Sequence, residues 1–183
     1  MHEMKKQIYY WSPYFSKIAT EKAVVNSVES IKKFSSNKFE PILINAVGEW
    51  DWTINKKKDL KIYNLTNYKI IDLLPKEGFI LSRISNLIIF ILCFIPLLKF
   101  MKRNDCYIVI HLVTSLPLLL CNLFKIKSKI VLRISGLPKL NYVRKCIWKI
   151  SNNKLYKIIC PTEGTQKFLK KNEIFDEKKI IFI

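Results

Sequence analysis

Glycine and arginine are both scarce in this chain. Its 183 residues include 4 glycines and 7 prolines, which leaves no composition for a flexible linker or a collagen-like segment. Low-complexity tracts and a repeat period are also absent, so a solenoid is excluded. Of 32 basic residues only Arg83, Arg103, Arg133 and Arg144 are arginine. Proteins that read base edges rely on the arginine fork, and single-strand binders interleave exposed aromatics with it. Here most aromatics lie inside apolar runs, so nucleic acid is not an expected partner. Acids are few as well, 14 against 32 bases. The five cysteines (Cys93, Cys106, Cys121, Cys146 and Cys160) have neither metal nor redox spacing. They read as free, mostly buried thiols of a reducing compartment, and no metal site is expected. Residues 1–7 are polar and no signal peptide is visible.

Apolar material and positive charge are abundant. Half the residues are hydrophobic, enough for one domain with a real core and too many for general disorder. The net charge of +18 is uneven: residues 1–78 carry +4 and residues 79–183 carry +14. Anionic lipid or phosphorylated ligands are the natural partners of such a surface. A coding bias toward Lys, Ile and Asn is an equal source of the charge.

Taken in order, the chain alternates strand and helix. Residues 8–11 read as a first strand and 12–20 as a loop. Thr20 is placed to cap a helix with Glu21 in its first turn and Val24, Val28 and Ile31 at helical spacing. Residues 39–47 form a second strand with Pro41 near its start. A loop at 48–52 and a solvated turn at 56–59 precede a third strand, 61–65. Residues 87–98 are twelve apolar residues fenced by Arg83 and by Lys99, Lys102 and Arg103. A membrane span needs ~20 apolar residues, so this run reads as a helix packed on the sheet or lying in a membrane interface. A span over 79–98 is the less favoured reading.

The chain is organised around residues 106–117. A continuous apolar strand, 107–110, ends on His111, and a polar turn with Thr114 and Ser115 follows. Such a run describes a strand covered on both faces. Ligands of open parallel sheets sit at the strands' carboxyl ends. Residues 129–135 give a fifth strand that ends at a turn with Ser135 and Gly136. Residues 139–152 give a helix with Leu140, Val143, Ile147 and Ile150 expected on one inward face. Residues 156–160 give a sixth strand, Thr162 caps a helix beginning at Glu163 with Phe168 and Leu169 inward, and 179–183 give a seventh strand. This pattern predicts an α/β, Rossmann-like, doubly wound and mostly parallel sheet of six or seven strands with helices on both faces.

The ordered blocks IYYWSPYFSKIATEKAVVNSVESI, FEPILINAVGEWD, VIHLVTSLPLLL, LRISGLPKLNYVRKCIWKI and IICPTEGTQKFLKK together resemble the N-terminal domain of GT-B glycosyltransferases. The nearest kind is the family 4-type enzymes of bacterial surface-polysaccharide assembly. The resemblance covers nearly the whole chain and rests on the blocks jointly, no single one being specific. It implies residues 1–183 as one Rossmann-like domain that holds a sugar acceptor, often lipid-linked. A C-terminal domain holding the nucleotide-sugar is absent from the chain, which looks truncated. It implies no cofactor in this domain, with the nucleotide-sugar as co-substrate. Many relatives have a glycine-rich turn after the first strand; here Ser12, Pro13, Tyr14 and Phe15 stand instead.

By the same resemblance His111 is the strand-end histidine that faces the donor sugar. The alternative is a hydrogen-bonded core histidine. Ser12, Tyr14, Ser16 and Lys17 form the first strand-end loop, which either contacts substrate or packs on its neighbours. Thr114 and Ser115 read hydroxyls or cap a helix. Arg133, with Ser135 and Gly136 beyond it, needs an anionic partner, either a pyrophosphate or a structural carboxylate such as Asp105. Thr162 and Glu163 are expected on the cleft rim, and Trp50 and Trp52 either stack on a sugar or pack in their loop. Arg83, Lys99, Lys102, Arg103, Lys139, Arg144, Lys145 and Lys149 are expected to face an anionic membrane. Together these place the protein in the cytoplasm, at the inner face of the cytoplasmic membrane. The competing class is a small membrane-anchored scaffold with its span at 79–98.

Overall fold

The computed structural model describes residues 5–13, 19–57, 59–75, 79–111, 116–134, 136–138 and 140–182. Every strand pair is parallel, and the seven strands give the Rossmann-like α/β sheet that the alternation predicts. The chain divides into two compact units, Met1–Phe100 and Met101–Ile183.

In the first unit β1 (Lys6–Trp11) pairs with β2 (Phe39–Asn45), which pairs with β3 (Lys61–Asn64). The last four residues of β1 are buried in succession, as in a strand covered on both faces. Its neighbours show the two covers. The Tyr10 hydroxyl lies 3.2 Å from Ser27 Oγ on α1 (Ala19–Phe34). The Tyr9 ring packs 4.8 Å from Phe100 on α3 (Phe79–Arg103). Alternation along the strand therefore sends one tyrosine to each helix. Pro41 is tolerated because at that position β2 is paired only with β1; the β3 ladder begins one residue later at Ile42.

Two local expectations need correction. Thr20 lies inside α1 rather than before it, since the helix begins at Ala19. Residues 51–56 form a short helix, α2 (Asp51–Lys56), where a loop and solvated turn were expected. Gly48 enters it at φ 97°, a conformation that suits glycine, and a Cβ there would lie 3.2 Å from Lys69 Cα.

In the second unit the strand order is β4 (Tyr107–His111), β5 (Lys129–Arg133), β6 (Leu155–Cys160), β7 (Ile180–Phe182). Between them run α4 (Leu116–Leu123), α5 (Tyr142–Ser151) and α6 (Glu163–Lys171). Asn141 caps α5, accepting from Arg144 N at 2.8 Å, and Thr162 caps α6, accepting from Thr165 N at 3.1 Å. The inward face of α5 differs from the expected one. Val143 and Ile150 are exposed, whereas Trp148 and Ser151 are buried. Trp148 stacks 5.4 Å from Phe175, and Asn122 Nδ2 donates to Ser151 Oγ at 2.8 Å. One large aromatic and one satisfied serine thus outweigh the two exposed aliphatic positions. The five cysteines are free and four are buried. Burial pushes the Cys93 thiol up to about 12 and Cys121 up to about 11, so these two are packing groups rather than nucleophiles.

Candidate functional site

Parallel pairing sets His111 directly opposite Arg133 at the carboxyl ends of β4 and β5. Three residues before each, Ile108 and Ile130 are fully buried, so the ladder is anchored in core and delivers its polar pair only at its last rung. Arg133 Nη1 lies 3.1 Å from His111 Nε2. Guanidinium can only donate, so Nε2 must accept and the imidazole proton sits on Nδ1. His111 is 2% exposed. Burial first, then the Arg133 charge, pulls its pKa down to about 3. The ring is therefore neutral at every physiological pH. It is a hydrogen-bond donor at Nδ1 and is not a general base at Nε2. This is a buried, hydrogen-bonded histidine at a strand end.

Asp105 is not the partner of Arg133. It precedes β4, at the far end of the ladder from Arg133, and is exposed. Gly136, just beyond β5, is half-buried, and a Cβ built on it would meet nothing within 4 Å. The backbone there borders open space. Thr162 and Glu163 stand at the end of β6. Thr162 is occupied as the α6 cap, its hydroxyl also 2.9 Å from Thr165 Oγ1, and Glu163 is an exposed first-turn acid 3.5 Å from Lys167. Thr114, Ser115, Ser135 and Lys139 lie outside the described residues.

In the first unit Ser12 follows β1 and is 2% exposed. Tyr14, Ser16 and Lys17 lie outside the described residues. The more developed polar cluster closes the end of β2, and the sequence reading did not single it out. Glu49 is buried, and its carboxyl accepts from Ala46 N (2.9 Å) and Val47 N (2.8 Å). Asn45 donates to Asp51 Oδ1 (2.8 Å) and Asn64 Oδ1 (3.0 Å) and accepts from Trp50 N (3.2 Å). Burial raises Glu49 to about 7 against the lowering pull of those amides. Nothing in the sequence marks it, since a single acid between Gly48 and Trp50 reads as an ordinary turn residue. Trp50 is wholly buried in this knot, and Trp52 is half exposed with the Lys56 ammonium 4.5 Å from its ring. Among the described residues no group of three His, Cys, Asp or Glu stands together to hold a metal.

The basic residues divide. Arg83, Lys99, Lys102 and Arg103 are exposed along α3, and Lys149 is exposed on α5. Lys145 and Arg144 are half-buried, and the Arg144 guanidinium lies 6.0 Å from the Trp148 ring.

The fold is one found among glycosyltransferases. A solved glycosyltransferase from Rickettsia africae ESF-5 superposes with a TM-score of 0.60 at 14% identity, covering 98% of this chain and 42% of that protein. The chain thus spans less than half the length of this structural relative. No protein-family model and no curated protein matches the sequence.

Proposed function

We propose that this chain is the acceptor-side domain of a GT-B, family 4-type glycosyltransferase of bacterial surface-polysaccharide assembly. The observation that carries the reading is the neutral His111 held by Arg133 at adjacent strand ends, in a fold shared with a glycosyltransferase. In the proposed reaction an acceptor hydroxyl attacks the anomeric carbon of a nucleotide-sugar. The bond from that carbon to the diphosphate breaks, the nucleoside diphosphate leaves with the bonding pair, and the hydroxyl proton is lost to solvent or base. The transition state is oxocarbenium-like. His111 would donate Nδ1–H to a sugar hydroxyl. Arg133 would bring its guanidinium charge toward the departing diphosphate. No cofactor is proposed for this domain. The proposed partners are the nucleotide-sugar, a lipid-linked or oligosaccharide acceptor, and the anionic inner face of the cytoplasmic membrane. Nucleic acid is not proposed.

The test is transfer from a labelled nucleotide-sugar to a lipid-extract acceptor, by a protein that carries this chain together with a nucleotide-sugar-binding half. His111→Ala should lower turnover by roughly tenfold to a thousandfold, the cost of one polar contact to the transition state. Arg133→Lys keeps the charge but loses the fork, and should restore only part of what Arg133→Ala removes. Normal turnover in His111→Ala would take this residue out of the site.

A further inference from the structure

The longest helix carries two apolar faces, and the fold uses one of them. Along α3, Ser85, Ile89, Cys93, Leu97 and Phe100 recur at helical spacing and are buried. Ser85 Oγ donates to the Pro75 carbonyl at 2.7 Å, and Phe100 packs on Tyr9 and Tyr63. On the opposite side Ile80, Ile84, Leu87, Ile91 and Ile95 recur at the same spacing and are 45–71% exposed. A helix of a water-soluble domain turns polar residues outward at such positions. Single exposed aliphatics are ordinary, but a continuous stripe about four turns long marks an interaction surface.

We infer that this outer face of α3 docks lengthwise on an anionic lipid bilayer without crossing it. Charge complementarity selects that occupant. No acidic residue occurs between Glu77 and Asp105. Lys102 continues the line of Ile84, Leu87, Ile91 and Ile95, with exposed Lys99 and Arg103 beside it and exposed Arg83 near the other end. The fold adds to the cationic end. Lys127 N and Ser128 N donate to the Met101 carbonyl at 3.0 and 3.2 Å, which ties the 124–128 loop, with exposed Lys125 and Lys127, to the last turn of the helix. The Lys102 ammonium lies 5.1 Å from the Phe124 ring. An apolar stripe bordered by lysines is the chemistry of an interfacial helix. The same helix of a second copy would offer these cations no carboxylate to pair with. The helix is long and apolar enough to cross a membrane, but a lone span would be ringed by lipid, and here the inner side packs on the first unit, Ser85 on Pro75, Cys93 near the Ala46 carbonyl and Phe100 on Tyr9 and Tyr63. The inference deepens the membrane partner proposed above, and its test needs no sugar transfer.

The experiment is flotation of the chain with phosphatidylcholine vesicles, alone or with about one third phosphatidylglycerol. Binding is expected only with the anionic lipid, weakening as salt shortens the screening length. The Leu87→Asp/Ile91→Asp double variant should bind at least tenfold more weakly with an unchanged melting temperature. Lys102→Glu and Lys125→Glu should each cost roughly fivefold or more. Undiminished binding by the double variant would overturn the inference, as would binding lost instead through Val143→Asp/Ile150→Asp on α5. So would equal binding to neutral vesicles, no binding at all, resistance to alkaline extraction, or a lipid-free dimer that the double variant dissociates. Vesicle binding as expected with no sugar transfer by the two-domain form would sink the enzymatic reading and leave this one standing.

Discussion

His111 carries its proton on Nδ1 because Arg133 fills Nε2, and that local fact has a consequence for stability. The folded histidine has a pKa of about 3 against an ordinary 6.5. The unfolded chain therefore takes up the proton first as pH falls, and stability present above pH 6.5 drains away toward pH 3. Glu49 has the opposite sign. Its folded pKa of about 7 stands above the ordinary 4.5, so its contribution is complete below pH 4.5 and is lost as pH rises to 7. Between pH 4.5 and 6.5 the two slopes oppose each other, each at most ~1.4 kcal/mol per pH unit. Melting curves over that window should be nearly flat for the parent protein. Glu49→Gln should expose the histidine slope, with the melting temperature falling as pH is lowered from 6.5 to 4.5. His111→Gln should show the reverse. Parallel curves for all three proteins would mean that neither group is buried as described.

The faces of α3 give a second measurable asymmetry, at the scale of an element. Leu97 is fully buried and Ile91 is 64% exposed on the same helix. Leu97→Ala should cost about 2–5 kcal/mol in chemical denaturation, and Ile91→Ala no more than about 0.5 kcal/mol. Equal costs would mean that both faces are packed. The helix also explains what could be read ahead of the structure. Strands 107–110 and 129–133 were legible because an uninterrupted apolar run has one stable place, between two covering layers. Strand order was not legible, because a βα alternation fits more than one doubly wound order. The working face of α5 was not legible, because periodicity counts Val143, Ile147 and Ile150 as equal to Trp148. The decisive term is the volume that Trp148 fills against Phe175. The His111–Arg133 rung was half legible. Both residues stand out in the sequence, yet their pairing depends on a register that the sequence does not display, and Asp105, the carboxylate expected beside Arg133, belongs to the other end of the ladder. The Glu49 knot was invisible for a different reason. A lone acid in a turn looks solvated until the backbone amides of residues 46 and 47 are seen to point at it.

At the scale of the molecule, the described residues hold two strand-end clusters, and among those residues no complete catalytic set stands. The first unit ends β2 with Asn45 bonded to Asp51 and with Glu49 turned onto the amides of residues 46 and 47. The second ends β4 and β5 in one neutral imidazole and one guanidinium. Glycosyl transfer needs a diphosphate held over the acceptor at the moment its bond breaks, and orientation of that kind supplies much of the rate. On the proposed reading, this chain holds the acceptor and a second domain holds the donor, in line with its matching 42% of the solved glycosyltransferase. The 183-residue chain alone should then bind lipid-extract acceptor but transfer no labelled sugar above background. Joined to a nucleotide-sugar-binding half, it should transfer, and only there should His111→Ala register in turnover. The melting curve must be run beside the assay, because His111 is 2% exposed and its loss removes a partner of Arg133. A variant that melts normally and turns over slowly locates the residue in the chemistry; one that melts early and turns over normally at low temperature locates it in the core. Sustained transfer by the 183-residue chain itself would refute the division of labour, because donor and acceptor would then both be held by groups already within it.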